Sequence, residues 1–156
     1  MKTTGWVGFG LTPNGGMYGA DIVMGWLDQN GTPTLSDRHA VRPGTPIVDD
    51  VQNVELISIS ETNGVTTMHF RRQLAACDKD DLAIVGTARI LVAFGREKPI
   101  DGVPDKHGDA DRVQISLTLV NGAEPPIPTE DDLFTIDFVF ENARWASENT
   151  KVFFSF

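Results

Sequence analysis

Apolar and polar residues alternate along this chain in short blocks, and Gly and Pro cut the blocks apart. Residues 3–10 form a short apolar block with Trp6, Val7 and Phe9. Residues 20–28 carry Ile22, Val23, Met24, Trp26 and Leu27, and the turn formers Gln29-Asn30-Gly31 separate them from 32–39, which predicts a hairpin. Over 54–60 the alternation puts Val54 and Leu56, then Ser58 and Ser60, on one side and Glu55, Ile57 and Ile59 on the other. Glu-Thr-Asn-Gly at 61–64 is a turn signal, and β-branched residues follow over 65–73. Residues 87–94 read as a buried strand and 113–120 as a half-buried one, with Val113, Ile115, Leu117 and Leu119 on its apolar side. Two further strands are predicted at 134–140 and 151–156. Helical periodicity with caps is absent, and one turn around 77–82 is the most expected. Eight or nine short strands predict an all-β fold, an antiparallel sandwich or barrel. The Pro-rich stretch 124–128 divides a main body, 1–122, from an exit and C-terminal hairpin, 123–156.

Composition narrows the function classes. The 156 residues hold 13 Lys+Arg against 22 Asp+Glu, a formal net charge of −9. Phosphate backbones need clustered cations, and Arg71-Arg72 is the one adjacent basic pair, so no nucleic-acid partner is expected. The sequence contains neither an apolar run near the roughly 18 residues of a spanning helix nor a signal-peptide pattern at its start. One cysteine and three histidines leave little material for a structural zinc site. Gly-x-Ser-x-Gly, His-Glu-x-x-His and phosphate-loop motifs are missing, and no catalytic residue is assigned.

Two stretches, Thr3-Thr4-Gly5-Trp6-Val7-Gly8-Phe9-Gly10 and Gly15-Gly16-Met17-Tyr18-Gly19-Ala20-Asp21-Ile22-Val23, resemble the signature of the DOMON domain. Asp37-Arg38-His39-Ala40, the run from Arg72 to Cys77 with Asp78 and Asp81, and Lys106-His107-Gly108 with Arg112 and 115–119 extend the resemblance in order, over about residues 3–120. The Cys77 segment resembles the dopamine β-hydroxylase-like branch of copper type II, ascorbate-dependent monooxygenases. The resemblance implies an extracellular or lumenal immunoglobulin-like β-sandwich, beside a redox domain, holding haem in some members and a cation or sugar in others. It also implies one or two strands before the Gly-Trp-Val-Gly motif, and copper ligands only in a following domain. Residues 134–156 have the pattern of those strands and could fill the vacant sheet position, reducing an exposed edge.

Several residues carry the candidate chemistry. Met17 and His107 match the axial ligands of the haem-bearing DOMON cytochromes, a thioether–imidazole pair suited to electron transfer. Without Cys-x-x-Cys-His any haem is non-covalent haem b. The competing reading has Met17 capping the sandwich end and His107 bonding a neighbouring loop. Asp21 matches an aspartate that holds a cation such as Ca²⁺ in the hydroxylase branch; Asn53 stands at the second carboxylate's position, with Asp49 and Asp50 nearby. Alternatively, Asp21 bonds backbone amides of the preceding loop. By the same resemblance Cys77 has a disulfide partner outside the chain, the alternative being an inert thiol whose acidic neighbours raise its pKa. His39 and His69 read as packed or half-exposed strand residues, Trp6, Trp26 and Phe9 as core, and Asp78–Asp81 and 130–132 as solvated acidic loops. Three functions follow as expectations: a structural module of a copper monooxygenase-like protein with a cation or small ligand at one end, a haem b electron-transfer domain, and a carbohydrate-binding module.

Overall fold

In the computed structural model, which describes residues 5–63, 65–119 and the backbone of 133–140, nine strands make two antiparallel sheets. They are β1 (Trp6–Leu11), β2 (Ala20–Leu27), β3 (Pro33–Ala40), β4 (Ile47–Val48), β5 (Glu55–Thr62), β6 (Val65–Gln73), β7 (Thr87–Phe94), β8 (Arg112–Thr118) and β9 (Leu133–Phe140). The larger sheet runs β4-β3-β2-β1-β7-β8 and the smaller one β5-β6-β9. No helix occurs among the described residues, so the turn expected at 77–82 is a loop; its Asp side chains cap backbone amides that a helix would have used. Residues 124–128 and 151–156 lie outside the described residues.

The expected hairpin pairs β2 with β3. Its turn is held by Asp28, whose Oδ1 accepts from the backbone amides of Asn30 and Thr32, both at 2.8 Å, and Gly31 supplies the left-handed φ of 81°. Period-two alternation gives the larger sheet two faces. Val7, Phe9, Leu11, Val23, Ile90, Val92 and Phe94 point inward and meet Ile59, Met68 and Phe70 of the smaller sheet. Phe9 and Phe70 meet at a tilt with ring centroids 5.8 Å apart. Gly25 is required by this contact, since a Cβ there would lie 2.5 Å from Met68 Sδ and 2.8 Å from Ile59 Cδ1. The outer face is apolar too: Trp6, Ala20, Ile22, Met24, Trp26 and Ala40 form a second cluster, with Met17, Leu91 and Ala93 against it.

One alternation differs from the sequence reading. Leu56 and Ile59, rather than Ile57 and Ile59, pack toward the core, and Ile57 is 43 % exposed. A register shift between Leu56 and Ser58 inserts one extra residue against β6, and that bulge reverses the phase of the strand.

Candidate functional site

Two sites emerge, one on the outer face and one between the sheets. On the outer face β1 contributes Gly8 and Gly10, whose missing side chains leave the floor of a cavity of about 630 Å³. The β1–β2 loop brings Met17 to this cavity, and the loop before β8 brings His107. Ile22, Met24, Leu91 and Ala93 make its apolar floor, and Lys106, Asp109 and Arg112 stand at its lining. The two loop residues expected to pair therefore face one cavity. His107 is half-buried; its Nδ1 lies 3.0 Å from the Gly108 carbonyl oxygen, which fixes that nitrogen as the donor and leaves the lone pair on Nε2. Its ring stands edge-on to Trp6 at 6.4 Å, and Trp6 Nε1 donates to Asp105 Oδ1 at 2.7 Å, which ties the loop to the sheet.

The second site lies between the sheets, beside the inner core. Asp21 at the start of β2, Asp37 in β3 and Asp81 in the loop after β6 are all buried, and they present carboxylate oxygens within 4.8 Å of one another. Arg72 of β6 reaches in, its guanidinium donating to Asp21 Oδ2 at 2.7 Å and to the Leu82 carbonyl at 2.9 Å. The Leu82 amide donates to the same Asp21 oxygen at 2.7 Å. The amides of Cys77 and Asp78 donate to Asp81 Oδ2, as does Asn53 Nδ2 at 2.9 Å. Asp21 Oδ1 and both oxygens of Asp37 have no partner. Burial drives the Asp37 carboxyl up to about 7, helped by the charges of Asp21, Asp81 and Asp49. Burial also raises Asp21, against the opposing pull of Arg72.

Asn53 thus stands beside the cage as a hydrogen-bond donor to its third carboxylate. Asp81, expected on a solvated acidic loop, is instead 8 % exposed, because it satisfies two backbone amides and Asn53 from inside. Asp37 stands in the sequence pattern only as part of the Asp37-Arg38-His39-Ala40 motif. Its signal was available: it occupies the inward phase of β3 beside Leu35, where a lone carboxylate has no apolar role. Cys77 is exposed and free, its thiol pKa raised by partial desolvation and then by Asp81. Trp6 and Trp26 are buried, as expected of core residues.

Comparison with known proteins places this architecture. The DOMON domain family model matches residues 1–95. MOXD1 homolog 2 of Drosophila melanogaster is 36 % identical over 138 residues, covering 82 % of this chain and 18 % of that protein. DBH-like monooxygenase protein 2 of Mus musculus is 38 % identical over 96 residues, 61 % of this chain and 16 % of that protein. Human dopamine beta-hydroxylase is 27 % identical over 146 residues, 91 % of this chain and 23 % of that protein. The chain thus spans about a fifth of the length of these relatives. Among solved structures, the cytochrome b domain of pyranose dehydrogenase from Coprinopsis cinerea shares the fold, with a TM-score of 0.55 and 21 % identity over 75 % of this chain and 63 % of that one.

Proposed function

This chain belongs to the DOMON domain family, and on that premise we propose that it is a non-catalytic module of a copper monooxygenase-like extracellular protein, locked at one end by a divalent cation. The observation that carries this reading is the Asp21–Asp37–Asp81 cage, in which Asp37 is 1 % exposed and neither of its oxygens has a partner. An unpaired buried carboxylate costs several kcal/mol, and Arg72 neutralises only one of the three acids. A divalent ion would cancel the remainder. Calcium takes oxygen ligands at about 2.3–2.6 Å, so two oxygens on one ion lie within about 5 Å of each other, as the cage oxygens do. Such an ion would tie β2, β3 and the loop after β6 together. Copper chemistry would belong to a neighbouring redox domain, against which this module offers surface rather than reacting groups. Thermal unfolding in EDTA and then in Ca²⁺ tests the reading. At a hundredfold excess over Kd the ion adds about 2.7 kcal/mol of stability. Asp37→Asn and Asp81→Asn should abolish most of that gain, and a folded wild-type chain indifferent to Ca²⁺ refutes the cage.

A second reading is favoured by the outer cavity. Met17 and His107 line it together, the Nδ1 bond of His107 leaves Nε2 as a ligand, and Gly8 and Gly10 line the floor, where a Cβ would press on Trp6 at 3.3 Å and on Ile22 at 3.2 Å. Haem b fits that donor set, and when bound it would supply one-electron transfer. The chain's own part would be to hold the iron from two loops and exclude water with Ile22, Met24 and Leu91. Hemin titration reads this directly: a Soret band that Met17→Ala and His107→Ala both lose supports it, and no stoichiometric binding by folded protein removes it. Carbohydrate recognition has less behind it, since Tyr18 is the one exposed aromatic among the described side chains.

A further inference from the structure

A second group of ligating side chains lies next to the cage and shares none of its residues. His39 lies in β3 two residues after Asp37, on the same face, and sits opposite Asp21 of β2 in register. β4 then pairs back on β3, with His39 opposite Ile47, and this return sets Asp49 beside the imidazole. The loop after β6 contributes Asp80, whose Oδ2 lies 3.9 Å from His39 Nδ1. The imidazole nitrogen and one oxygen from each carboxylate all lie within 4.8 Å of one another. Gln52 holds the arrangement from behind. Its Oε1 accepts from the Asp37 amide at 2.8 Å, while its Nε2 donates to the carbonyls of Asp37 at 2.9 Å and Asp49 at 3.1 Å.

We infer that His39, Asp49 and Asp80 form a second divalent metal site, one that takes a borderline transition ion such as Zn²⁺ rather than Ca²⁺. Three observations support it. The Asp49 side chain is 2 % exposed, and while its Oδ1 meets His39, its Oδ2 is fully buried with no partner. A carboxylate so placed has more ligating capacity than one imidazole uses. The donor set includes imidazole nitrogen, which suits zinc and its neighbours in the transition series, whereas all-oxygen sets favour calcium and magnesium. Asp49 and Asp80 bring two carboxylates to the group, and among the described residues the one cation that meets them besides His39 is Lys79, at the exposed side. Access is open, because the His39 and Asp80 side chains are 19 % and 22 % exposed. Three protein ligands leave a fourth position for water or an outside ligand. Without metal the same place is filled by the His39–Asp49 pair and by Lys79, whose Nζ bonds Asp80 Oδ2 at 2.5 Å. Metal binding would displace both contacts.

The site stands independently of the Asp21 cage, and the experiment keeps them apart. The full chain is saturated with Ca²⁺ and titrated with Zn²⁺ by calorimetry at pH 7.5, and Co²⁺ in place of Zn²⁺ reports nitrogen–oxygen coordination through its visible bands. Wild type should take one Zn²⁺ per chain. His39→Gln and Asp80→Asn should each weaken Zn²⁺ at least tenfold, remove the Co²⁺ bands and leave the Ca²⁺-dependent rise in Tm intact. Asp81→Asn should abolish the Ca²⁺ response and keep Zn²⁺ binding. Zn²⁺ affinity unchanged in both site variants, or no Zn²⁺ binding by folded wild type, overturns the inference. So does simultaneous loss of the Ca²⁺ response in His39→Gln and Asp80→Asn. Should His39→Gln fail to fold, Asp80→Asn decides, since it alters a partly exposed side chain. If wild type shows no Ca²⁺ response but binds Zn²⁺ through His39, the cage reading falls and this site stands.

Discussion

Replacing Asp37 with Asn in the cation-free protein should make it more stable. The Asp37 carboxyl is raised from an ordinary 3.8 to about 7. Between about pH 4 and pH 7 the folded chain therefore keeps a proton that the unfolded chain has lost, and stability falls as pH rises through that window. Above it the full penalty applies. Each pKa unit corresponds to 1.36 kcal/mol, so the shift amounts to about 4 kcal/mol at pH 8. The side chain is 1 % exposed, so solvent screens little of this. Asparagine keeps the shape, removes the charge and brings two N–H donors toward the unpartnered Oδ1 of Asp21. We expect Asp37→Asn to gain about 2–4 kcal/mol in EDTA at pH 8, or roughly 5–15 °C in Tm. At pH 4 the gain should shrink toward zero, because the wild-type carboxyl is then protonated. At a hundredfold excess of Ca²⁺ over Kd the advantage should shrink by about 2.7 kcal/mol, since only wild type presents the charged ligand. Urea unfolding followed by tryptophan fluorescence at pH 4, 6 and 8 measures the difference between the two proteins. A difference that stays flat across that range, or a variant less stable than wild type in EDTA at pH 8, refutes the reasoning.

Other perturbations probe separate parts of the structure. Arg72→Met removes the guanidinium that faces Asp21 at 2.7 Å and should cost about 3–5 kcal/mol by denaturant unfolding, whereas a loss under about 1 kcal/mol would mean that Asp21 is uncharged in the fold. The bulge in β5 predicts a contrast between neighbours: Ile57→Ser should change stability by less than about 0.5 kcal/mol, while Ile59→Ala should cost about 2–5 kcal/mol. Comparable effects at the two positions would contradict the register. Gly25→Ala forces a methyl against Met68 and Ile59 and should cost about 1–3 kcal/mol, with part of that cost relieved when Ile59→Val is added.

The strands were legible because alternation and turn chemistry are local. The Gln29-Asn30-Gly31 turn and the Asn63 turn, at φ 54°, sit where the residue types require them. The phase of β5 was not legible, because the bulge at Ile57 comes from pairing with β6 rather than from anything in 54–60. The loop at 77–82 reads as a helical turn for a related reason: its aspartates look like helix and surface residues until their amide partners are seen. Met17, His107 and Asp21 were named through a family resemblance, and their neighbours were not. Asp37 and Asp81 lie 44 residues apart in sequence, and only the packing of β3 against the loop after β6 makes them one group.

By itself the sequence determined that the chain is all-β, where most strands lie, that it carries excess negative charge, and that it has no motif for covalent catalysis. Those properties depend on composition and on residues a few positions apart. Only the tertiary structure decided which side chains share a site. It set Met17 and His107 on one cavity over the glycines of β1, and it brought three carboxylates together beside one arginine. It also brought His39 to Asp49 and Asp80. The cavity depends on strand order within the larger sheet, the carboxylate group on the stacking of the two sheets, and the His39 group on the return of β4 and the loop after β6, none of which a local pattern encodes.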